Sequence, residues 1–177
     1  MPQPTRMLVG LAGLKHAGKD AAADCLVRHH GFVKHALAAP LKRACKDVFA
    51  LSDDQVDGPR KDLVDPRYDV TPRLIMQRFG TDCVRQLAPD AWVHKFREWH
   101  AACEHPRVVV SDVRFQNEVD AIRELGGRVF LVDRGGDREP GEHPSERADE
   151  LDRLDGVVRN AGTLGDLHAA VCRAVLG

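Results

Sequence analysis

The sequence predicts an α/β domain built on a parallel sheet, and three observations support that fold class. Short apolar segments alternate with amphipathic helical segments along the chain. The segment 107–111 is a continuous apolar run, which is typical of a strand buried on both faces of a parallel sheet. A length of 177 residues, of which 43% are hydrophobic, suits one domain with its own core. We therefore expect right-handed crossovers and ligands at the carboxyl ends of the strands.

The first strand and the first helix flank the most informative motif. Residues 7–12 form a short apolar strand, and 19–30 form a helix that stops before Gly31. The linking sequence, from Gly13 to Asp20, is Gly-Leu-Lys-His-Ala-Gly-Lys-Asp, which has the spacing of a phosphate-binding P-loop. Gly13 and Gly18 permit backbone angles that turn several N–H groups toward one anion, and Lys19 adds a full positive charge. The motif predicts binding of a nucleoside triphosphate.

The remaining elements follow from periodicity and from helix start and stop signals. In chain order they are a strand at 32–37, a helix from Pro40, a loop over 52–69, a helix from Thr71-Pro72 that breaks or bends at Gly80, a helix from Pro89-Asp90, the strand 107–111, a helix from Gln116 to Gly126, a strand at 128–132, a charged segment at 134–150, a strand at 156–160, and a last helix capped by Thr163.

Composition excludes several broad classes of function. A formal net charge of -1 argues against general affinity for nucleic acid or anionic membranes. No apolar run approaches the roughly 20 residues needed to span a bilayer, and the N-terminus runs into the first strand without a signal peptide. The five scattered cysteines show no Cys-x-x-Cys pair and favour a reduced, cytoplasmic setting, where we interpret them as small apolar residues. The histidines show no metal-ligand spacing.

Two acidic residues stand where a metal ion would be held. Asp112 follows the strand 107–111 and resembles a Walker-B acid, the alternatives being acceptor contact or a salt bridge to Arg114. Asp20 replaces the usual P-loop hydroxyl, and Ala21 follows it. Two interpretations stay open for Asp20: it faces Mg²⁺ directly or through water, or it caps the helix without contacting a metal.

Basic residues outside the P-loop suit an acceptor that already carries a phosphate. They are Lys42, Arg43, Arg73, Arg78, Arg85, Arg134 and Arg138. The segment with Arg134 and Arg138 suits a lid that excludes water. A phosphate monoester has a second pKa of about 6, so its oxygen needs no general base at neutral pH.

The order of motifs along most of the chain resembles the deoxynucleoside monophosphate kinases of tailed bacteriophages and their bacterial relatives. The motifs are the P-loop, Ala39-Pro40-Leu41-Lys42, Thr71-Pro72-Arg73, Gln77 with Gly80-Thr81-Asp82 and Arg85, Ser111-Asp112-Val113-Arg114-Phe115 with Asn117-Glu118, and His143-Pro144-Ser145-Glu146. Asp after the P-loop lysine is a mark of that family, whereas Ala21 stands where Thr is common.

The resemblance implies one P-loop kinase domain over 1–177, with a five-stranded parallel sheet flanked by helices. It implies a helical acceptor-binding region at 38–104 and a lid at 133–150. The implied reaction moves the γ-phosphate of ATP to a deoxynucleoside monophosphate, with Mg²⁺, in the cytoplasm of a bacterium or of a phage host. The implied partner is a small nucleotide rather than nucleic acid or membrane, and a homodimer is compatible with the resemblance.

The resemblance also assigns residues to these roles. The implied catalytic residues are Lys19 and Arg134, and the implied metal ligands are Asp20 and Asp112. The implied ATP-binding residues are Gly13, Lys15, His16, Ala17, Gly18, Lys19, Asp20, Ala21 and Asn160. The implied acceptor-binding residues are Lys42, Arg73, Gln77, Arg85, Asp112, Arg114, Glu118, His143 and Glu146.

Two other functions stay open. One is a different P-loop small-molecule kinase, acting on dephospho-coenzyme A or a phosphorylated metabolite. The other is a regulatory module that binds ATP without transferring phosphate. A Rossmann dinucleotide site does not fit, because the Gly-x-Gly-x-x-Gly pattern is missing.

Overall fold

Five parallel strands form the sheet that the sequence predicts. The computed structural model describes residues 6–135 and 143–177. Its strands are β1 (Met7–Ala12), β2 (Val33–His35), β3 (Arg107–Val113), β4 (Arg128–Asp133) and β5 (Gly156–Arg159). They lie in the order β2-β3-β1-β4-β5, with every neighbouring pair parallel. The strand β1, which leads into the P-loop, is therefore central and lies between β3 and β4.

Seven α-helices connect and flank the strands in the described part of the chain. They are α1 (Lys19–His30), α2 (Ala39–Phe49), α3 (Asp53–Val56), α4 (Pro72–Gln77), α5 (Ala91–Ala102), α6 (Gln116–Glu124) and α7 (Leu164–Leu176). Thr71 and Thr163 cap α4 and α7 as predicted, each accepting a hydrogen bond from a backbone N–H of the first turn. Within 6–135 and 143–177, none of the helices has the length and apolar character of a membrane span.

The chain divides into two compact units, with one boundary between Ala36 and Leu37 and the other within α5, between Glu98 and Trp99. The first unit comprises Met1–Ala36 and Trp99–Gly177, and it contains the whole sheet. Its largest core cluster joins β1, β3, β4 and β5 to the buried faces of α1 and α7. The triplet 108–110 is almost fully buried, as expected for a strand covered on both faces.

The second unit, Leu37–Glu98, is helical and has its own small core. That core consists of Cys45, Leu51, Val56, Ile75 and Met76. The predicted loop at 52–69 is more ordered than expected, because it holds α3 and a 3₁₀ helix, Pro59–Asp62. The sequence signal for α3 is a capping box between Ser52 and Gln55, which was not recognised in the polar segment.

Of the predicted break or bend at Gly80, the break is wrong. The chain continues from α4 into a π-helix, Arg78–Arg85, without leaving the helical path. A Cβ on Gly80 would lie 2.6 Å from Leu41 Cδ2, so the glycine permits close packing of α2. The Gly80 carbonyl accepts a hydrogen bond from Trp92 Nε1 at 3.1 Å, which satisfies the backbone in the wide turn.

Candidate active site

The P-loop adopts the backbone conformation that its glycines predict. Gly13 has a φ of +144° and Gly18 a φ of +105°, and His16 also adopts a positive φ of +62°. A Cβ on Gly13 would lie 2.4 Å from the carbonyl oxygen of Val132. The loop is therefore packed closely against β4, and its shape depends on glycine at that position.

Lys19 is held inside the loop. Its Nζ donates hydrogen bonds to the carbonyl oxygens of Gly13 at 2.7 Å and Leu14 at 2.8 Å. An ammonium group has three N–H donors, so a third can reach an anion in the loop. Burial, and then the nearby charge of Arg114, lower the pKa of Lys19 from 10.5 to about 8, while Asp20 and Asp112 partly offset this. An anion bound in the loop would favour the charged form.

Asp112 lies at an irregularity in the sheet beside the P-loop. Gly10 pairs with Val110 and Ala12 pairs with Val113, so two residues of β3 stand opposite one residue of β1. This bulge changes the direction in which side chains point near the carboxyl end of β3. The strand runs to Val113, two residues further than predicted, so Asp112 lies within it and is half-buried. The charge of Asp112 partly offsets the lowering of the Lys19 pKa.

The segment after β3 is fixed by Glu118. This buried carboxylate accepts hydrogen bonds through Oε2 from the backbone N–H groups of Arg114 at 2.7 Å and Phe115 at 3.1 Å. The guanidinium of Arg114 donates to the carbonyl oxygen of Ser145 at 3.0 Å. Glu118 therefore positions Arg114, and contact of either side chain with an acceptor stays a prediction.

The segment carrying His143 and Glu146 lies against Arg114. His143 caps a 3₁₀ helix, Pro144–Glu146, by accepting a hydrogen bond through Nδ1 from the Ser145 N–H at 3.3 Å. His143 and Glu146 are both half-buried. The predicted lid at 133–150 lies partly outside the described residues, and so does Arg138. Within the described part of the lid, the 3₁₀ helix Pro144–Glu146 contacts Arg114.

Asp20 is exposed and pairs with a lysine that the sequence reasoning missed. Lys34 Nζ on β2 lies 2.9 Å from Asp20 Oδ1 and 3.1 Å from Asp24 Oδ1. The N-cap of α1 is Gly18, so Asp20 lies in the first turn rather than at the cap. Its side chain is 81% exposed, which leaves room for a cation. The i,i+4 spacing of Asp20 and Asp24 was the available signal for a shared basic partner.

Asn160, the residue after β5, forms a hydrogen bond with the P-loop. Its Nδ2 donates to the carbonyl oxygen of Ala17 at 2.8 Å, and its backbone N–H donates to Asp133 O at 2.7 Å. Asp133, a second residue that sequence reasoning missed, also accepts hydrogen bonds from Arg159 and from the Gly135 N–H. A polar residue at the end of a predicted strand was the signal for it. Arg134 follows Asp133 and is exposed. Contact of Asn160 with adenine stays a prediction.

The other predicted ATP-binding residues belong to the loop and the start of α1. Lys15 and His16 are exposed at the loop. Ala17 is buried in the core of the first unit, and Ala21 packs against that core.

Four predicted acceptor-binding residues lie in the second unit. Lys42 on α2 forms an ion pair with Asp57. The other three are Arg73, which pairs with Asp62 at 2.5 Å, Gln77 at the end of α4, and Arg85, which donates to Pro89 O at 3.2 Å. Each position is helical and within 37–98, and contact with an acceptor stays a prediction.

Comparison with known proteins adds a family relationship. The profile of a family described as deoxynucleotide monophosphate kinase matches residues 61–171. A protein of Acanthamoeba polyphaga mimivirus, provisionally named a deoxynucleotide monophosphate kinase, is 38% identical over 185 residues, covering 96% of each chain. The deoxynucleotide monophosphate kinase of Enterobacteria phage T4 is 23% identical over 234 residues, covering 93% of this chain and 96% of its own.

Solved structures show the same fold. A shikimate kinase from Aquifex aeolicus superposes with a TM-score of 0.57 and 11% identity, covering 97% of both chains. A dephospho-CoA kinase from Campylobacter jejuni superposes with a TM-score of 0.53 and 13% identity, covering 97% of this chain and 96% of its own. At such low identities these likenesses establish the architecture alone.

Proposed function

Since the chain belongs to the deoxynucleotide monophosphate kinase family, we propose that it transfers the γ-phosphate of ATP to a deoxynucleoside monophosphate and releases the diphosphate. The observation that carries the proposal is Lys19 held in a folded P-loop by the carbonyl oxygens of Gly13 and Leu14, in a chain that matches the family over 61–171. The loop identifies the donor class, and the family identifies the acceptor class.

The P-loop supplies the donor site. Backbone N–H groups at the start of α1, together with the Lys19 ammonium, bind phosphate oxygens and stabilise charge that develops during transfer. Asn160 Nδ2 donates a hydrogen bond to the carbonyl oxygen of Ala17, which restrains that part of the loop. Arg134, at the start of the lid, is proposed to neutralise the moving phosphoryl group.

The fit of Mg²⁺ rests on the oxygen donors near the loop. Asp20 is exposed beside it and Asp112 lies at the neighbouring strand end, and carboxylate oxygens are the ligands that Mg²⁺ prefers. Mg²⁺ held by the carboxylates of Asp20 and Asp112 would offset the negative charge of the phosphates. Without Mg²⁺, the Lys34 ammonium offsets the negative charge of the Asp20 carboxylate. This ion pair explains how an acidic residue is tolerated at a phosphate site in which Ala21 supplies no hydroxyl.

Acceptor binding is proposed for the helical region 38–104 and for Arg114. Lys42, Arg73 and Arg85 would bind the acceptor phosphate once released from their present partners. The acceptor oxygen is largely ionised at neutral pH, so no general base is proposed. The lid at 133–150, the cytoplasmic location and a homodimer remain predictions from the resemblance.

The alternatives have weaker support. The dephospho-CoA kinase likeness concerns the fold only, whereas the family profile and the 38% identical relative point to deoxynucleotide monophosphates. A module that only binds ATP would not require the basic acceptor-side residues. The decisive test is a coupled assay with ATP, Mg²⁺ and each common nucleoside monophosphate in turn. Turnover of at least one deoxynucleoside monophosphate supports the proposal, and no turnover on the whole panel contradicts it.

Asp20→Asn is expected to raise the Mg²⁺ concentration needed for half-maximal activity about fivefold, because it removes roughly one exposed charge interaction of about 1 kcal/mol. The measurement is initial rate against free Mg²⁺ at saturating ATP. Asp24→Asn is the matched control, since Asp24 shares Lys34 but lies one turn further along α1. An unchanged Mg²⁺ titration in Asp20→Asn would show that Asp20 acts only as a negative charge in the first turn of α1 and does not bind Mg²⁺.

ATP affinity is expected to fall above about pH 8, because Lys19 has a pKa of about 8 in the free protein and loses its proton there. Bound phosphates favour the ammonium, so ATP binding must take up a proton at higher pH, and Kd rises by up to about tenfold per pH unit. Calorimetry from about pH 7 to about pH 9 in buffers of different ionisation enthalpy measures both effects. Lys19→Arg, which stays charged, should remove the pH dependence; a flat Kd in the unmodified protein would contradict the prediction.

A further inference from the structure

Two cysteines and a histidine converge where α1 packs beside α7, away from the sheet edge that carries the P-loop. Cys25 and His30 lie on α1, and Cys172 lies on α7. His30 Nε2 and Cys172 Sγ are 3.0 Å apart, and the two sulfurs and the imidazole nitrogen all lie within 4.8 Å of one another. The sequence did not predict this cluster, because its members come from two distant segments.

The chemistry of these donors is selective. Thiolate sulfur and imidazole nitrogen are the donors that Zn²⁺ prefers, and Mg²⁺ prefers oxygen. Zn–S bonds of about 2.3 Å and Zn–N bonds of about 2.0 Å put tetrahedral ligand atoms about 3.5–3.8 Å apart. The His30–Cys172 separation is shorter than this range and the other two separations are at most 4.8 Å, so side-chain shifts of about one ångström or less would suffice.

The surroundings restrict movement of the cluster. Cys25 is 2% exposed and belongs to the core that joins α1 to α7. The carbonyl oxygen of His30 accepts a hydrogen bond from Arg107 Nη1 at 2.8 Å, which ties the end of α1 to the start of β3. Cys172 and His30 are half-buried, so a cation can enter from their side.

We propose that Cys25, His30 and Cys172 bind one Zn²⁺ or a similar thiophilic divalent cation, with water as the fourth ligand. Binding releases the two thiol protons to solvent and forms two metal–thiolate bonds and one metal–imidazole bond. The cation then crosslinks the helix that begins at Lys19 to α7, whose Leu167 packs beside Gly18. The site does not depend on the proposed kinase reaction.

The test is a cobalt titration of the full chain, chelator-treated and kept reduced, without nucleotide. We expect one Co²⁺ per chain, with thiolate-to-cobalt charge-transfer absorption and the visible bands of a tetrahedral complex, both abolished by one equivalent of Zn²⁺. Zn²⁺ should also raise the Tm of the unmodified chain. Absence of thiolate absorption in the unmodified chain overturns the proposal, whatever the variants do.

Variants test the assignment of the ligands. Cys172→Ser and His30→Gln should each weaken Zn²⁺ binding by a factor of about 100 or more and remove the tetrahedral spectrum. The matched controls are Cys83→Ser, an exposed cysteine of the second unit, and His29→Gln, the exposed neighbour of His30. Both controls should keep the spectrum. An unchanged spectrum in Cys172→Ser, with its fold verified by circular dichroism, overturns the proposal.

Discussion

Replacement of Lys19 by alanine is expected to lower kcat/KM by a factor of about 10²–10³ while the protein stays folded. The ammonium is held inside the loop, with its Nζ 2.7 Å from Gly13 O and 2.8 Å from Leu14 O. Without it, the loop would bind phosphates through backbone N–H groups and the helix terminus alone. Steady-state kinetics with the best acceptor, together with thermal unfolding, measure both parts of the prediction.

The fold should survive because burial already disfavours the charged form of this lysine. Burial lowers its pKa to about 8, so the folded protein disfavours the charged form relative to an exposed lysine. Lys19→Met keeps most of the apolar stem and separates loss of charge from loss of packing. Lys95→Ala, at an exposed lysine of α5 paired with Glu98, is the matched control and should leave kinetics unchanged. A near-normal kcat in Lys19→Met would show that the charge of Lys19 does not contribute to phosphoryl transfer.

Features encoded by local sequence could be predicted well. The bounds of β1 and α1 and the cap at Thr163 depend on residues adjacent in the chain, and all three match the structure. The positive φ values of Gly13 and Gly18 could also be predicted, because glycine adopts such backbone angles with little strain. These features already contain the donor half of the site.

Features that depend on distant neighbours could not be predicted. Lys34 and Asp20 come together only once β2 lies beside the start of α1, and Asp133 meets Asn160 only when β5 pairs with β4. Gly80 predicts a break or bend of the helix from its low helix propensity, whereas the chain stays helical there and Leu41 lies too close for a side chain at that position. Tertiary contacts decided each of these positions.

Gly13→Ala is expected to destabilise the protein by about 3 kcal/mol or more and to abolish measurable ATP binding. Two costs add at this position. A φ of +144° is strained for any residue with a side chain, and the new Cβ would lie 2.4 Å from the backbone oxygen of Val132. Val132 belongs to β4, which pairs with β1, so the clash cannot be relieved by rotating a side chain. For a domain of this size the Tm should fall by about 6–12 °C.

Gly31→Ala is the control for a positive-φ glycine without a steric clash. Gly31 ends α1 with a φ of +65°, and a Cβ there meets no atom within 4 Å, so only backbone strain of about 1 kcal/mol is expected. The excess loss in Gly13→Ala therefore measures the clash with β4 together with the greater backbone strain at a φ of +144°. If the two variants unfold at the same temperature, β4 yields to the added methyl group and the loop is not held in a single shape. A Gly13→Ala protein that still binds ATP normally would show that the amides reach phosphate without this turn, and the role assigned to the first glycine would fail.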